Sequence, residues 1–328
     1  MTKKIFKQTK KFLPLIGIAI FTYIIYNLDI EKIIDAFLSI NLIFIVFSIT
    51  LTLPRVIIRN YAWQLIQKEQ KIKLSFLQSL KIFLIGYFYG SITPGYIGQL
   101  MRVPYMKEKT GEAYGKLFVN TIIEIVIHTL SLYGMMIIGA LLVIGIFPQL
   151  LTIAIIWVAI LTIILLYFVK KDRGEKLFHV LITHLIPKKL RDDFDRLVNT
   201  FYADFPRIKK LIVPFVISSF TWIIIFSQEY IVVLALGIDI PYLYFLLLFP
   251  IANVVGFIPI TFAGLGTREL TAIFLFSTLF GVIEEEIFVF TILGFVITDI
   301  FTGFIGFILS LTETREKKYD IKSSLKTL

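Results

Sequence analysis

Long apolar runs separated by short polar connections dominate the pattern of the chain. Six runs are continuous, at 12–27, 42–58, 117–146, 149–169, 211–236 and 286–311. A helix needs about 20 residues to cross the roughly 30 Å hydrocarbon core of a bilayer, so each run predicts a membrane-spanning helix. Two further apolar stretches, 76–97 and 243–282, are interrupted by proline and glycine and indicate something other than a simple span.

Composition narrows the class of protein. Of the 328 residues, 57% are hydrophobic and 17% are charged, whereas a soluble domain is roughly 45–50% apolar and about 25% charged. The sequence therefore predicts an all-α polytopic membrane protein and excludes a soluble or a disordered chain. With no cysteine and three histidines, a thiolate or histidine-rich metal site is not expected, and neither is a catalytic residue or a cofactor.

Lysine and arginine are unevenly distributed among the polar segments. They concentrate in the two tails and in 55–81, 102–116 and 170–210, whereas the loops 28–41, 237–242 and 283–286 are acidic. Because basic residues collect on the cytoplasmic side, the pattern predicts a cell-membrane protein with both termini in the cytoplasm. The same bias explains the net charge of +10 without a nucleic-acid partner.

The charge of the neighbouring loops and the length of the helices indicate whether each interrupted stretch crosses the membrane or turns back within it. If 76–97 crossed the membrane completely, the basic loop 102–116 would lie outside, so a re-entrant hairpin turning at Thr93-Pro94-Gly95 is predicted instead. In the second stretch, Thr267 to Phe280 would form a helix of roughly 21 Å, which is too short to span. The predicted fold is six full spans plus two re-entrant helical hairpins.

The two hairpins carry the same order of glycine, proline, glycine and arginine. The first has Gly90, Pro94, Gly98 and Arg102, and the second has Gly256, Pro259, Gly264 and Arg268. With their flanking spans they give units that open in opposite directions, which is the pattern of an inverted-topology repeat with a binding site near the midplane. The predicted division is 1–41 (anchor and loop), 42–146 (first unit), 147–210 (linking span and cytoplasmic amphipathic segment), 211–311 (second unit) and 312–328 (tail).

Short motifs follow one another in a definite order between residues 42 and 311. They are Arg59 with Trp63, Gly86, Thr93-Pro94-Gly95, Gly98-Gln99 with Arg102, Glu124, and Pro259 followed by Gly264-Leu265-Gly266-Thr267-Arg268-Glu269. Together they resemble the transmembrane domain of lysylphosphatidylglycerol synthases, a family also called flippase-like. In such synthases this domain moves an aminoacylated phospholipid between leaflets, and a separate soluble domain makes the lipid. Since 17 residues follow Leu311, a stand-alone member is expected, whose lipid need not be the same.

Three positions depart from the pattern of that family. Gln99 stands where an acid usually follows the glycine of the first hairpin, and Ile125 stands where an arginine commonly follows the acid of the next helix. His128 replaces a common aspartate. These changes argue against transferring a proton- or charge-coupled scheme from the family unchanged.

Charged side chains inside a bilayer are costly and therefore mark candidate sites. Arg268 leads, because Thr267 is predicted to cap a half-helix that begins with Arg268 and Glu269. Its free N–H groups and the guanidinium would receive a lipid phosphate, with Gly264 and Gly266 leaving room for the head group. The alternative is a structural ion pair that braces the hairpin.

Other ionisable residues extend this predicted site. Arg102, one turn beyond Gly98, is predicted either to contact the phosphate or to reach the cytoplasmic interface. Glu124 and His128 lie on one polar stripe of helix 117–146, with Asn120 and Ser131, which should face a cavity or a partner helix.

Three carboxylates, Glu124, Glu229 and Glu269, are expected to hold the arginines or to receive a cationic head group. Asp299 is a further candidate, but it shares a helix face with Gly303 and Gly306, which favours close helix packing there.

The leading functional interpretation is translocation or head-group binding of a membrane lipid without covalent chemistry. The expected partner is an anionic or aminoacylated phospholipid or a polyprenyl phosphate, and a homo-oligomer is left open. One alternative is a membrane-embedded glycosyl or phosphoryl transferase acting on a polyprenyl phosphate, in which Asp29 and Glu31 would hold a divalent metal. Another is an ion-coupled transporter of small solutes.

Overall fold

The computed structural model describes residues 19–169, 206–257 and 264–326. Every regular element in these ranges is a helix, which confirms the all-α class. The predicted basic N-terminal tail and most of the predicted amphipathic segment, 170–205, lie outside the described residues.

The helices of the first half follow the apolar runs. Residues 19–27 form α1. The next elements are α2 (Ile30–Leu38), α3 (Leu42–Thr50), α4 (Thr52–Glu69), α5 (Phe76–Ser91), a 3-10 segment (Pro94–Met101), α6 (Arg102–Thr110), α7 (Tyr114–Leu142) and α8 (Pro148–Val169). Helix α5 begins at a capping box, in which Ser75 and Gln78 satisfy each other's backbone N–H groups.

The second half also places two antiparallel helices between longer ones. A short 3-10 turn (Ile208–Leu211) precedes α9 (Ile212–Ala235), α10 (Tyr242–Gly256), α11 (Thr267–Phe280), α12 (Glu284–Phe295), a π-helical turn (Val296–Ile300) and α13 (Phe301–Lys326). Among the described residues, four continuous helical stretches are long and apolar enough to cross a membrane. They are Leu42–Glu69, Tyr114–Leu142, Ile208–Ala235 and Glu284–Glu313.

The first interrupted stretch folds back on itself. A Cβ added at Gly86 would collide with the Arg102 side chain, and one at Gly98 would collide with the carbonyl of Tyr89. The 3-10 segment and the start of α6 therefore run antiparallel to α5 at close range. Near the two ends of this hairpin, Lys81 and Lys109 both form ion pairs with Glu313, at 3.0 and 3.6 Å.

The second interrupted stretch has the same form. A Cβ added at Gly256 would lie 3.2 Å from the Arg268 Cβ and 3.3 Å from the Gly264 Cα. At the other end of this hairpin, the rings of Tyr244 and Phe280 pack edge to face, 5.7 Å apart. Helices α10 and α11 therefore lie antiparallel, with the start of one beside the end of the other.

Each hairpin packs against a long helix of the opposite half of the chain. Helix α10 meets α7 at Gly139, where a Cβ would collide with the Leu247 carbonyl. Helix α5 meets α13 at Gly306, where a Cβ would collide with the Leu84 carbonyl. The close packing predicted for the glycine face of α13 is confirmed. This reciprocal exchange ties the two halves into one body.

The close approach of α10 to α7 at Gly139 leads to a testable prediction about stability. Gly139→Ala should lower the free energy of unfolding by about 1–3 kcal/mol, because the new methyl group overpacks the contact with α10. Gly134→Ala on the same helix is the control, since a Cβ there meets nothing within 4 Å and helix propensity gains up to about 1 kcal/mol. Thermal unfolding of both purified variants in one detergent measures the difference, and equal midpoints would contradict the packing.

One predicted boundary is wrong. The first span of the first half was expected to end at 58, with Arg55 and Arg59 already belonging to a cytoplasmic loop. Instead α4 continues to Glu69, and both arginines are buried inside it. They lie one turn apart on the helix face that points into the protein, where polar groups of other helices compensate their charge.

Candidate functional site

A polar cavity of about 190 Å³ lies between the two halves of the chain. Its walls come from α4, α5, the 3-10 segment and α7 on one side, and from α9, α10 and the π turn on the other. The ionisable side chains in the lining are Arg55, Arg59, His128, Glu229 and Asp299, and the aromatic ones are Tyr87, Tyr96, Tyr133, Trp222 and Phe257.

The basic wall of the cavity comes from α4. Arg55 Nη2 donates to the carbonyl of Thr298 at 2.8 Å and to the hydroxyl of Thr302. Arg59 Nε donates to Glu124 Oε1 at 3.1 Å. Both guanidinium groups are therefore held in place before any ligand binds, which reduces the entropy lost on binding.

The acidic wall comes from the second half. Asp299, in the π turn, accepts hydrogen bonds from the hydroxyls of Tyr87 at 2.9 Å and Tyr96 at 3.1 Å. Glu229, on α9, accepts one long bond of 3.5 Å among the described residues, from Thr298 Oγ1. The cavity is thus lined by two guanidinium groups from the first half of the chain and by two carboxyl groups from the second.

Several buried polar atoms at this cavity have no hydrogen-bond partner among the described residues. They are Arg55 Nε, both ring nitrogens of His128 and Glu229 Oε2. The His128 ring stacks on the Trp222 indole with centroids 4.4 Å apart. Because most buried polar atoms in proteins are paired, such a cluster around one cavity is typical of a site for a polar ligand.

The tip of the first hairpin closes one side of the cavity. Gly95 and Tyr96 both have left-handed backbones, with φ of 60° and 55°, and this conformation is uncommon for tyrosine. The turn directs the Tyr96 hydroxyl to Asp299, and the rings of Tyr96 and Phe257 pack in a T-shaped arrangement with centroids 5.4 Å apart. A strained residue therefore joins the two hairpins at the site.

Arg102 lies behind the cavity and is not part of its lining. It is fully buried, and it donates to Glu124 Oε2 and to Gln99 Oε1. Its guanidinium also lies 4.5 Å from the centroid of the Phe83 ring. The alternative in which Arg102 reaches the cytoplasmic interface is wrong, because partners on three sides hold it inside; Glu124 joins it to Arg59.

Arg268 is likewise engaged within its own hairpin. Its Nε and Nη2 donate to Glu269 Oε1 at 3.1 and 2.6 Å, and its guanidinium lies 4.8 Å from the centroid of the Phe295 ring. This is the bracing contact that the sequence left as the alternative. Arg268 is buried and is not part of the cavity lining.

The start of α11 differs by one residue from the prediction. Gly266, with a φ of 91°, is the N-cap, and Thr267 is the first helical residue. The Glu269 carboxylate accepts the Gly266 N–H, so the cap needs no hydroxyl, and the Thr267 hydroxyl donates instead to the Gly264 carbonyl at 3.2 Å. The phosphate-binding role predicted for this helix start stays a prediction.

The predicted site residues therefore separate into two groups. His128, Glu229 and Asp299 line the cavity, whereas Glu124 supports it from behind through Arg59. The remaining candidates, Arg102, Arg268, Glu269, Gly98, Gly264, Gly266 and Thr267, serve the hairpins and are not part of the lining.

Arg55 is the main residue that sequence reasoning missed. Its signal is the four-residue spacing from Arg59 at the end of an apolar run, which puts two arginines on one helix face. Tyr87 and Tyr96 carry no comparable signal, because tyrosine is common in membrane helices.

In the acidic pair proposed for a metal, the Asp29 side chain is the N-cap of a helix. The Asp29 carboxylate caps α2 by accepting the Glu31 N–H at 2.9 Å, and the Asp29 N–H donates to Glu285. Within the described ranges, no group of three or more histidine, aspartate or glutamate side chains is placed to hold a metal ion.

Comparison with known proteins agrees with this helical membrane architecture. Residues 14–306 match the family described as lysylphosphatidylglycerol synthase TM region. A UPF0104 membrane protein of Pyrococcus horikoshii is 24% identical over 289 residues, covering 81% of this chain and 86% of the relative. Because the family match extends over most of the sequence, the chain belongs to the lysylphosphatidylglycerol synthase transmembrane-region family.

Proposed function

We propose that this protein binds a phosphate-bearing lipid head group in the polar cavity and moves it between the leaflets of the cell membrane, without covalent chemistry. The observation that carries the proposal is the polar lining, which combines Arg55 and Arg59 with Glu229 and Asp299. Ionisable side chains enclosed within apolar helices suit the head group of an amphiphile.

The two walls suit different parts of a head group. Arg55 has a buried Nε with no partner among the described residues, and a guanidinium binds phosphate through parallel N–H groups. Glu229, contributed by the other half of the chain, has a buried Oε2 without a partner among the described residues, and this oxygen can receive an ammonium group. An aminoacylated or other zwitterionic phospholipid would use both walls, whereas an anionic phospholipid or a polyprenyl phosphate would use the arginine wall alone.

We further propose that the framework is six full spans with two re-entrant hairpins in an inverted repeat. In support, Lys81 and Lys109 at the two ends of the first hairpin both reach Glu313, and Tyr244 and Phe280 bring the ends of the second hairpin together. The reciprocal packing of each hairpin on the opposite half also fits a pseudo-twofold arrangement. Rocking of such halves about a fixed central site is a general route to alternating access.

An assay of lipid transfer between leaflets tests the proposed function. Purified protein is reconstituted into phosphatidylcholine vesicles that contain a little fluorescently labelled phosphatidylglycerol, and chemical quenching of the outer leaflet measures transfer. Arg55→Gln should slow transfer at least about tenfold, since a charge-assisted hydrogen bond is lost. Arg207→Gln, at an exposed position away from the cavity, is the matched control and should keep the wild-type rate.

The same measurements can contradict the proposed function if wild type and Arg55→Gln do not differ in transfer rate. Equal transfer by wild type, Arg55→Gln and protein-free vesicles would contradict lipid translocation. Thermal unfolding in the same vesicles shows whether Arg55→Gln is folded, because Arg55 also binds Thr298 and Thr302.

Side-specific labelling tests the topology. The chain has no cysteine, so a single introduced cysteine reports its own position. Ala113→Cys, between α6 and α7, should resist a membrane-impermeant maleimide in intact cells and react in inside-out vesicles, because the basic loop is cytoplasmic. Lys32→Cys, at an exposed position of α2 in the acidic segment 28–41, should show the reverse pattern. Labelling of Ala113→Cys from outside would contradict the re-entrant hairpin and the repeat.

A further inference from the structure

An apolar groove of about 280 Å³ lies directly beside the polar cavity. Tyr133 and Phe257 line both spaces, which therefore meet at these two side chains. The rest of the groove is apolar apart from Thr271 and includes Met136 of α7 and Val254 of α10. A polar site and an apolar site thus share two side chains.

Helix α8, which belongs to neither predicted repeat unit, closes the groove on its outer side. Ala154 is buried at the groove, whereas Ile153 and Trp157 line it and are 52% and 39% exposed. Exposed apolar side chains at this position face the hydrocarbon region in the proposed topology. The groove therefore lies between the polar cavity and the surrounding lipid.

Resting on the proposed function, we infer that this groove holds one hydrocarbon chain of the lipid whose phosphate binds at Arg55. The substrate class is then a tailed lipid and excludes small water-soluble anions. The shared lining carries this step, because the polar cavity and the apolar groove adjoin at Tyr133 and Phe257, as the head group and the chain of one lipid would require.

The membrane setting determines what the groove contributes. Moving a chain from bulk lipid into an apolar groove gains no hydrophobic free energy, because lipid tails are as apolar as the groove. Chain occupancy must therefore follow head-group binding at the arginine wall. The groove keeps the chain in apolar surroundings while the head group lies in the polar cavity.

Photocrosslinking of a tail-labelled lipid tests this inference. Phosphatidylglycerol with a diazirine in one acyl chain is added to protein in phosphatidylcholine nanodiscs, and mass spectrometry identifies the labelled residues. Groove residues Met136, Trp157 and Val254 should be labelled saturably, in contrast to Ile155 and Ile156, which are exposed on the same α8 and do not line the groove. A second phosphatidylglycerol with its photoreactive group on the head should label the polar cavity.

Variants then separate the tail site from the head site. Ala154→Phe fills the groove and should lower groove labelling about tenfold through overpacking, while head-probe labelling of the cavity persists. Ala159→Phe, on an exposed part of the same helix outside the groove, is the control. Trp157→Ala removes one wall without filling the groove and should also lower groove labelling, which covers the case in which Ala154→Phe does not fold. Arg55→Gln should lower labelling by both probes.

Two failures would be distinguishable. In the first, the tail probe labels groove and outer residues equally, and this labelling does not change in Ala154→Phe or Trp157→Ala. If the head probe still labels the cavity and depends on Arg55, this result would overturn the groove as a tail site and leave the proposed function intact. Head-probe labelling that is absent, or that Arg55→Gln does not change, would overturn the proposed function itself.

Discussion

Replacing Glu124 with glutamine is expected to lower the free energy of unfolding by about 3–5 kcal/mol, which is typical for breaking a buried ion pair. Its carboxylate is shared by Arg59 and Arg102, and all three side chains are buried. Glutamine keeps the size but removes the charge, so two guanidinium groups would stay buried without a counter-charge. Thermal or denaturant unfolding of the purified variant in a fixed detergent measures the loss.

Glu229→Gln is the matched control for that substitution. Glu229 and Glu124 are each 3% exposed, but Glu229 forms no ion pair with a described residue and leaves one oxygen without a hydrogen bond. Its replacement should therefore change stability by less than about 1 kcal/mol. Equal losses in the two variants would show that the shared carboxylate does not stabilise the cluster beyond an ordinary buried side chain.

Much of the architecture was predictable because the bilayer imposes simple rules on the chain. Spans need long apolar runs, and four of the predicted ones appear as long apolar helices. The short helix from Thr267 to Phe280 has the predicted bounds. Proline and glycine also indicated both points at which the chain folds back, because those residues allow a turn where a regular helix would continue.

The assignment of the arginines was less predictable, because their partners are distant in sequence. Arg55 binds Thr298 and Thr302, more than 240 positions away, and Arg59 binds Glu124 on α7. A local pattern shows that an arginine is present, but it does not show which carboxylate the arginine binds. From the sequence, the predicted span therefore ends at 58. In the structure, partners on other helices compensate the two buried arginines, so α4 continues beyond that point.

The same difficulty affected the choice between a binding and a bracing arginine. The Gly-Pro-Gly-Arg patterns favour Arg102 and Arg268 as binding residues. In the structure, however, both arginines have a carboxylate within ion-pair distance. Arg55 lies outside both patterns, lines the cavity, and donates to neutral oxygens of Thr298 and Thr302 instead of to a carboxylate. Burial and pairing, which depend on the folded arrangement, distinguish the two roles.

Arg268→Gln is expected to separate stability from head-group binding. Both Nε and Nη2 of Arg268 bind Glu269, which is fully buried, and Arg268 does not line the cavity. Removing the guanidinium would leave that carboxylate without its counter-charge, so the free energy of unfolding should fall by about 3 kcal/mol or more. Lipid transfer per folded molecule should stay within about twofold of wild type, as for a residue that does not contact the ligand.

The opposite result would revise the location of the phosphate site. If Arg268→Gln protein unfolded at the wild-type temperature but lost transfer, the half-helix start at Gly266 and Thr267 would bind the phosphate, as the sequence pattern predicts. Arg55→Gln measured beside it decides between the two positions, because only the residue that contacts the head group should change transfer without a matching change in stability. Glu269→Gln completes the comparison, since it should reproduce the stability loss of Arg268→Gln if the two side chains act as one bracing pair.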